Sequence, residues 1–342
     1  MSAPEAAAED GTQALLAADR DISGRVAPLD LYYRWESQHW QISSLTIAQD
    51  RPDWAALPGF LREELLHTVF RFAAGELAVT QTLAPIAHAA PTEDYQIYLS
   101  TQIADEARHA LFFRTYVDSL RAVGIAPSVI DREGDETVSV GDLFEQSLRT
   151  ITDQVRADPD DLARWYEAIV VYHLLIEGTV AMTGLHSLLR TIREHGGFAA
   201  LREGLTNVAR DESRHVNFGV LALRDGIRAG HRELIVHAVR RHVPAAAFTM
   251  VAPEYRDTTP RLVQSLTDRP RRIGEQWQFA IASLDKRLTA TGLEPETVRS
   301  LVNSFRQGCV DAVARYRELH GVDHPVRVES MDADPLVAEV AL

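Results

Sequence analysis

Two copies of one pentapeptide decide the fold of this chain of 342 residues. The first copy is Asp105-Glu106-Ala107-Arg108-His109, and the second is Asp211-Glu212-Ser213-Arg214-His215. Both read D-E-x-R-H, and both lie in stretches with the apolar spacing of an α-helix. On a helix, a Glu and a His three residues apart lie on one face, about 5–6 Å from each other. Each pentad can therefore direct a carboxylate and an imidazole at the same point.

An isolated glutamate precedes each pentad by 30 or 35 residues. Glu76 is the only Asp, Glu, Lys or Arg within residues 72–90, and Glu177 is the only one within the apolar run 168–189. An ionised carboxylate in such surroundings is strongly disfavoured unless a cation offsets its charge. The order Glu, then Glu-x-x-His, occurs twice, which indicates an internally duplicated helical hairpin.

Together the two halves supply four carboxylates and two imidazoles. Four-helix bundles build carboxylate-bridged dimetal sites from this set. Oxygen donors with two imidazoles favour iron or manganese over zinc. The predicted metal ligands are Glu76, Glu106, His109, Glu177, Glu212 and His215. Two further E-x-x-H pairs, Glu36/His39 and Glu64/His67, are interpreted as surface pairs because no such arrangement precedes them.

Helical periodicity extends through most of the chain, and strand signals are scarce. Long helices are predicted at about 60–89, 92–124, 159–196 and 198–229, and shorter or flanking ones at about 141–157, 231–247, 270–291 and 294–319. Helices of this length, packed as antiparallel hairpins, form an all-α bundle. Residues 1–28 are predicted to be a disordered tail, 29–320 a single helical domain, and 321–342 an irregular tail.

Charge and cysteine content exclude several classes of function. The net charge is −14, which disfavours nucleic acid and anionic lipid surfaces as partners. The single cysteine, Cys309, excludes an internal disulfide framework and a thiolate zinc cluster, and it suits a reducing cytosol. Residues 168–189 approach the length of a membrane span, but Glu177 and His173 interrupt them. A buried core helix is therefore predicted, without stable membrane insertion.

The chain resembles the ferritin-like ligand-binding oxidases related to the small subunit of ribonucleotide reductase, over roughly residues 29–228. The resemblance rests on Gln49-Asp-Arg-Pro-Asp-Trp54, Phe72-Ala-Ala-Gly-Glu-Leu-Ala-Val-Thr80, Asp105-Glu-Ala-Arg-His-Ala-Leu-Phe-Phe113 and Arg210-Asp-Glu-Ser-Arg-His215. It implies a ferritin-like bundle with flanking helices, a Mn/Fe or Fe/Fe pair, and two-electron oxidation with O₂. It also implies a bound long-chain fatty acid or similar apolar ligand, and a homodimer. The cytoplasmic location is predicted from the cysteine content.

Two further residues carry the resemblance to this particular family. Val79 lies three residues after Glu76, and Tyr172 lies five before Glu177. In the family such a Val and Tyr become joined by an ether between Cβ and the phenol oxygen when the reduced metals react with O₂. On an ideal helix Val79 shares the face of Glu76, but Tyr172 lies about 140° from Glu177. A site role for Tyr172 thus rests on the resemblance or on a π-bulge; otherwise both residues are core packing.

Other functions on the same scaffold stay open. A ribonucleotide reductase small subunit often has a tyrosine four residues after the first ligand His, where this chain has Phe113. A biosynthetic di-iron oxygenase, for example an amine oxygenase, is the main alternative, whereas an iron store would require a shorter chain. The Asp and Arg of each pentad suit outer positions, where Asp105 and Asp211 either orient the ligand histidines or pair with the arginines. His173 occupies a place where the family leads us to expect Asn.

Overall fold

The computed structural model describes residues 26–126, 143–252 and 270–324. These residues form helices joined by turns and short connections, and no β-strand occurs among them, which confirms the all-α prediction. Most of each predicted tail, residues 1–25 and 325–342, lies outside the described residues. The division into one domain and two tails therefore stays a prediction.

The predicted helices are present with ends that agree to within about four residues, once the π-helical residues 143–148 are included, and two short helices before residue 59 were not predicted. The helices are α1 Pro28–Ser37, α2 Arg51–Ala56, α3 Gly59–His88, α4 Glu93–Arg121, α5 Arg149–Ala157, α6 Leu162–His195, α7 Ala199–Gly226, α8 Arg232–Val251, α9 Pro270–Ala290 and α10 Pro295–His320. Short 3₁₀ helices at Ile42–Ser44 and Ile47–Asp50 join α1 to α2. The backbone is π-helical at Leu143–Leu148 and at Val170–Ala181 within α6. At Ile227–His231 a kink at Gly230, with φ of +95°, separates α7 from α8.

Local sequence signals account for most helix ends. The Thr92 hydroxyl caps α4 by accepting a hydrogen bond from the Tyr95 amide at 3.2 Å. The Asp161 carboxylate caps α6 in the same way, through the amide of Ala163 at 2.9 Å. Gly196, with φ of +71°, ends α6 in a conformation that favours glycine.

The core of the bundle consists of α3, α4, α6 and α7. α3 packs along α4, and α7 packs against the π-helical part of α6, so the two duplicated hairpins face each other. α8 and α9 cover the same π-helical part from outside, and α10 packs on α8. Within the apolar stretch of α6 that is long enough to cross a membrane, 83% of residues are buried in the protein. This burial fits the predicted core helix.

The π-helical segment changes which residues share a face of α6. Its backbone pattern repeats at five residues, as shown by the Thr179 hydroxyl, which donates to the Leu174 carbonyl five positions earlier at 2.9 Å. A π-helical turn takes in more residues than an α-helical turn, so residues five apart lie closer to one face than they do on an α-helix. The ideal-helix separation of about 140° between Tyr172 and Glu177 does not apply here, and the two side chains lie on the same side of α6.

The start of α7 is capped by residues distant in sequence. Phe198, which precedes α7, has a left-handed φ of 51° and no capping side chain of its own. Instead, the Asp50 carboxylate accepts hydrogen bonds from the amides of Ala200 at 3.0 Å and Leu201 at 2.8 Å. Asp53 accepts one from the Phe198 amide at 2.7 Å. These contacts give the segment Gln49–Trp54 a structural role, because it holds the helix that carries the second pentad.

We expect Asp50→Ala to lower the free energy of unfolding by about 1–3 kcal/mol, the cost of leaving buried donors unpaired. Asp50 is fully buried, and the Tyr116 hydroxyl also donates to it, at 2.8 Å. Chemical denaturation monitored by circular dichroism measures the change. Asp158→Ala is the control, since Asp158 is exposed and its carboxylate accepts no hydrogen bond in the described part of the chain. Equal stability of the Asp50 and Asp158 variants would contradict this role.

Candidate metal centre

All six residues predicted as ligands lie together in the core of the bundle. Glu76 comes from α3, Glu106 and His109 from α4, Glu177 from α6, and Glu212 and His215 from α7. None of them exposes more than 7% of its surface. The isolated glutamates and the pentads therefore meet although up to 139 residues separate them in sequence.

The six residues form two groups that share two members. One group, the Glu76 cluster, consists of Glu76, Glu106, His109 and Glu212. The other, the Glu177 cluster, consists of Glu106, Glu177, Glu212 and His215. Within each cluster the potential ligand atoms lie within 4.8 Å of one another. Glu106 and Glu212 belong to both clusters, whereas Glu76 and Glu177 each belong to one.

Each cluster has one imidazole nitrogen at its centre. His109 Nδ1 lies 3.5 Å from Glu76 Oε2, and His215 Nδ1 lies 3.4 Å from Glu177 Oε1. Both nitrogens lie 3.1–3.7 Å from oxygens of the two shared carboxylates. The clusters are thus related by an approximate two-fold axis, as the sequence duplication predicts.

Several potential ligand atoms have no hydrogen-bond partner. The buried atoms without one are both oxygens of Glu106, Oε2 of Glu177 and of Glu212, and Nδ1 of His109 and of His215. Buried polar atoms in folded proteins are nearly always satisfied. These atoms are carboxylate oxygens and imidazole nitrogens, the donors that iron and manganese accept. The donor set therefore fits two metal ions.

The aspartate of each pentad orients the histidine of the other pentad. His109 Nε2 donates to Asp211 Oδ2 at 3.1 Å, and His215 Nε2 donates to Asp105 Oδ2 at 3.2 Å. A hydrogen on Nε2 leaves the lone pair of each ring on Nδ1, which faces its cluster. Such outer contacts fix the tautomer and orientation of a metal-binding imidazole.

The pentad arginines and two tryptophans complete this network. Arg214 donates to Asp105 Oδ2 at 3.0 Å and also binds Asp211. Trp35 Nε1 donates to Asp105 and Trp40 Nε1 donates to Asp211, each at 2.8 Å. The aspartates thus perform both roles that the sequence left open. The tryptophans were missed, because they lie outside the four core helices and no spacing connects them to the pentads.

Val79 and Tyr172 are both buried in the same hydrophobic cluster of the core. The Tyr172 hydroxyl is enclosed and has no hydrogen-bond partner of normal geometry. Burial raises the pKa of Tyr172 well above its ordinary value, and the negative charges of Glu106 and Glu177 raise it further. Tyr172 therefore lies beside the carboxylates, as the π-helical backbone permits. Its reaction with Val79 stays a prediction.

Two further polar residues next to the site were not predicted. Gln102 Nε2 donates to Glu177 Oε1 at 2.9 Å, and His173 Nε2 donates to Gln102 Oε1 at 3.0 Å. Both side chains are fully buried. Burial lowers the pKa of His173 to about 3, so its ring is neutral. The one sequence signal for Gln102 is its position four residues before Glu106, on the same helical face.

The pKa values of the cluster carboxylates are shifted in opposite directions. Burial raises the pKa of Glu76 to about 8, although His109 acts against it. Burial and the charge of Glu212 raise the pKa of Glu177 well above its ordinary value. Burial would also raise the pKa of Glu106, but the interactions with His109 and His215, whose Nδ1 atoms lie 3.7 and 3.1 Å from its oxygens, outweigh burial and hold that pKa well below the ordinary value. Without metal, Glu76 and Glu177 thus hold protons at neutral pH, while Glu106 is ionised.

The bundle and its two joined clusters define a ferritin-like helical protein of the dimetal-carboxylate type. The family model for the ribonucleotide reductase small chain matches residues 28–254, and the chain belongs to this family.

Similar solved structures include variants of an R2-like ligand-binding oxidase. One, with an aerobically reconstituted Mn/Fe cofactor, is 23% identical, with a TM-score of 0.60 and coverage of 85% of this chain and 95% of that one. A second aerobically reconstituted variant is 23% identical, with a TM-score of 0.59 and coverage of 85% and 94%. An anaerobically reconstituted variant is 22% identical, with a TM-score of 0.56 and coverage of 85% and 95%. At this identity the likeness establishes the fold.

We expect the metal-free protein to become less stable as the pH rises from about 5 to 8. Folded Glu76, with a pKa of about 8, keeps a proton that the unfolded chain releases near its ordinary value of 4.5, and Glu177 acts in the same direction. These carboxylates also raise the pKa values of His109 and His215, because their charges outweigh the effect of burial. Each protonated histidine stabilises the folded state, and this contribution is lost as the pH rises through its raised pKa. Stability falls with rising pH wherever the folded state binds more protons than the unfolded state.

Thermal unfolding in the presence of a chelator measures this dependence. A loss of 1 kcal/mol corresponds to roughly 2–4 °C in Tm for a large domain. Glu76→Gln should flatten the dependence, because an amide does not titrate. A metal-free wild-type protein whose Tm rises between pH 5 and 8 would contradict the assignment of these protonation states.

Proposed function

We propose that the chain is an O₂-activating dimetal oxidase with a Mn/Fe or Fe/Fe pair. The observation that carries this proposal is the pair of buried clusters that share Glu106 and Glu212, with their unsatisfied ligand atoms. The Glu76 cluster would hold one ion and the Glu177 cluster the other. Four carboxylates offset the charge of two divalent ions, which removes the cost of burying them.

Iron and manganese are proposed from the ligand chemistry and from the similar structures. Carboxylate oxygens with one imidazole per ion suit both metals. The similar ligand-binding oxidases carry a Mn/Fe cofactor. When bound, such a pair supplies electrons that reduce O₂ and thereby provides the oxidising power of the site. The protein's part is to hold the ligands, to exclude water with the apolar core and to place a C–H bond nearby.

An apolar ligand such as a long-chain fatty acid is proposed as the molecule bound at the site. The proposal is supported by the resemblance of the sequence and by the name of the similar oxidases, which describes them as ligand-binding. Extraction with organic solvent and mass spectrometry of the extract tests it. Recovery of a polar amine, and of its oxygenated product after turnover, would favour the biosynthetic oxygenase instead.

Storage of a tyrosyl radical for a ribonucleotide reductase is a weaker candidate. Phe113, four residues after His109, is fully buried and stacks on Phe72 with ring centroids 5.6 Å apart. A phenylalanine at this position has no hydroxyl to lose and cannot form a phenoxyl radical. Membership of the family thus leaves the oxidase as the better-supported function.

A cytoplasmic location and a homodimer complete the proposal. Cys309 is free and buried, which is compatible with a reducing compartment. A homodimer is consistent with Leu77 on α3 and Leu111 on α4, which are among the exposed large apolar residues. Light scattering of the purified protein tests the dimer.

We expect two transition-metal ions per chain, one for each cluster. A Glu106→Ala/His215→Ala double variant should bind fewer, because it loses a shared carboxylate and the imidazole of the Glu177 cluster. Elemental analysis after anaerobic loading and desalting counts the ions. Glu36→Ala, at an exposed glutamate outside the clusters, should keep both. Full occupancy in the double variant would refute the proposed ligand set.

We expect O₂ exposure of the reduced, metal-loaded protein to remove two hydrogen atoms from the chain. The Val79 Cβ–H and Tyr172 O–H bonds break and a Cβ–O ether forms. O₂ takes up the two electrons and two protons, together with two electrons from the metal pair. Intact-protein mass spectrometry detects the loss, and peptide mapping detects the link.

The control for the cross-link is Tyr172→Phe, which should keep both metal ions and lose the mass change. Tyr116→Phe removes the hydroxyl of another fully buried tyrosine, which binds Asp50 and not the clusters, and should keep the mass change. Unlinked peptides in the oxidised wild-type protein would mean that Val79 and Tyr172 are ordinary core packing.

A further inference from the structure

The two clusters differ in what holds the glutamate that they do not share, Glu177 in one and Glu76 in the other. Glu177 Oε1 accepts a hydrogen bond from the Gln102 amide at 2.9 Å, and its other oxygen has no partner. In the described part of the chain, His109 is the one side chain whose polar atoms approach the Glu76 carboxylate within ion-pair distance. Glu177 thus has a hydrogen bond from outside the cluster, whereas Glu76 has none among the described residues.

The difference between Glu177 and Glu76 follows from the residues at corresponding positions of the two hairpins. Gln102 precedes Glu106 by four residues, and the corresponding residue before Glu212 is Val208. His173 precedes Glu177 by four residues, and the corresponding residue before Glu76 is Phe72. Both counterparts are apolar, so the equivalent contact on Glu76 cannot form. The asymmetry is therefore a property of these two positions rather than of the bundle.

The hydrogen bonds determine which way the Gln102 amide faces. A Glu177 carboxylate that binds a metal ion is ionised and only accepts hydrogen bonds, so the amide nitrogen of Gln102 must then face it. Its carbonyl oxygen then faces His173, whose Nε2 donates to it at 3.0 Å. A reversed amide would place its oxygen against the Glu177 carboxylate and its NH₂ group against the N–H of His173. The two contacts thus support one orientation of the amide.

His173 itself is held firmly by its neighbours. A Cβ atom on Gly219 of α7 would lie 2.3 Å from the His173 Cβ, so only glycine permits this approach of α7 to α6. A Cβ on Gly178 would lie 2.7 Å from the His173 carbonyl oxygen. The His173 ring lies 5.4 Å from the Phe218 ring, centroid to centroid. The imidazole therefore has little freedom to leave Gln102.

We propose that Gln102 and His173 are positioning residues that hold Glu177 as a ligand through one oxygen. The amide binds Oε1, the oxygen that lies 3.4 Å from His215 Nδ1, and so fixes this carboxylate beside the Glu177 cluster. The ion in that cluster then has a rigid carboxylate, whereas Glu76 is free to change how it binds the other ion. This inference rests on the proposed dimetal function and makes the two metal positions unequal.

Binding of Mn²⁺ under anaerobic conditions tests the proposal without turnover. Calorimetry gives the affinities of the two positions, and electron paramagnetic resonance separates single Mn²⁺ ions from coupled pairs. Gln102→Met keeps the length of the side chain and removes the donor. It should weaken one position about 10–100-fold, the usual effect of losing an outer contact of a metal ligand, and convert the coupled signal to that of single ions. His173→Phe should weaken the same position less, because Gln102 can still donate.

Two controls separate positioning from general disturbance of the core. Val208→Ala alters the corresponding position of the second hairpin and should leave both affinities unchanged. In a Glu177→Ala background, Gln102→Met should have no further effect on Mn²⁺ affinity, because it acts through Glu177. An equal loss in both backgrounds, or a loss in Val208→Ala as large as in Gln102→Met, would overturn the proposal. So would a Gln102→Met protein with wild-type affinities, whereas a wild-type protein that binds no Mn²⁺ pair would instead refute the dimetal function.

Discussion

The convergence of four carboxylates inside one bundle is the constraint on which the rest of this structure depends. Burial alone would make ionisation of each carboxylate unfavourable, and their mutual repulsion adds to the cost. Glu76 and Glu177 respond with raised pKa values, and the shared Glu106 stays ionised between two imidazoles. Two cations in the clusters would remove both costs and would let the core hold residues that a helical bundle otherwise excludes.

The contacts around the clusters join the two halves of the duplication. Each pentad supplies a histidine to its own cluster and an aspartate to the histidine of the other half. Arg214 binds both aspartates and so neutralises part of their charge. Trp35 and Trp40, which lie on α1 and the segment after it, close the network from outside the core helices. Neither hairpin could orient its imidazole alone.

Helix positions and the six residues that meet in the clusters could be predicted because the interactions that specify them are local. The caps at Thr92 and Asp161 and the end at Gly196 involve residues within a few positions of one another. Isolation of Glu76 and Glu177 in apolar runs is likewise visible without a structure. The cap of α7 was not predictable, since Asp50 reaches the Ala200 amide across 150 residues. Nothing near Phe198 indicates which distant side chain will accept its hydrogen bonds.

The sequence by itself determined the all-α fold, the duplicated hairpin and the six residues that meet in its centre. A spacing of three residues on a helix fixes which side chains share a face, whatever surrounds the helix. Only the tertiary structure decided the π-helical register that turns Tyr172 toward Glu177, the crossed pairing of aspartates and histidines, and the contact of Gln102 with Glu177. These depend on how closely separate helices pack, as at Gly219, and such distances arise from the whole core rather than from any local spacing.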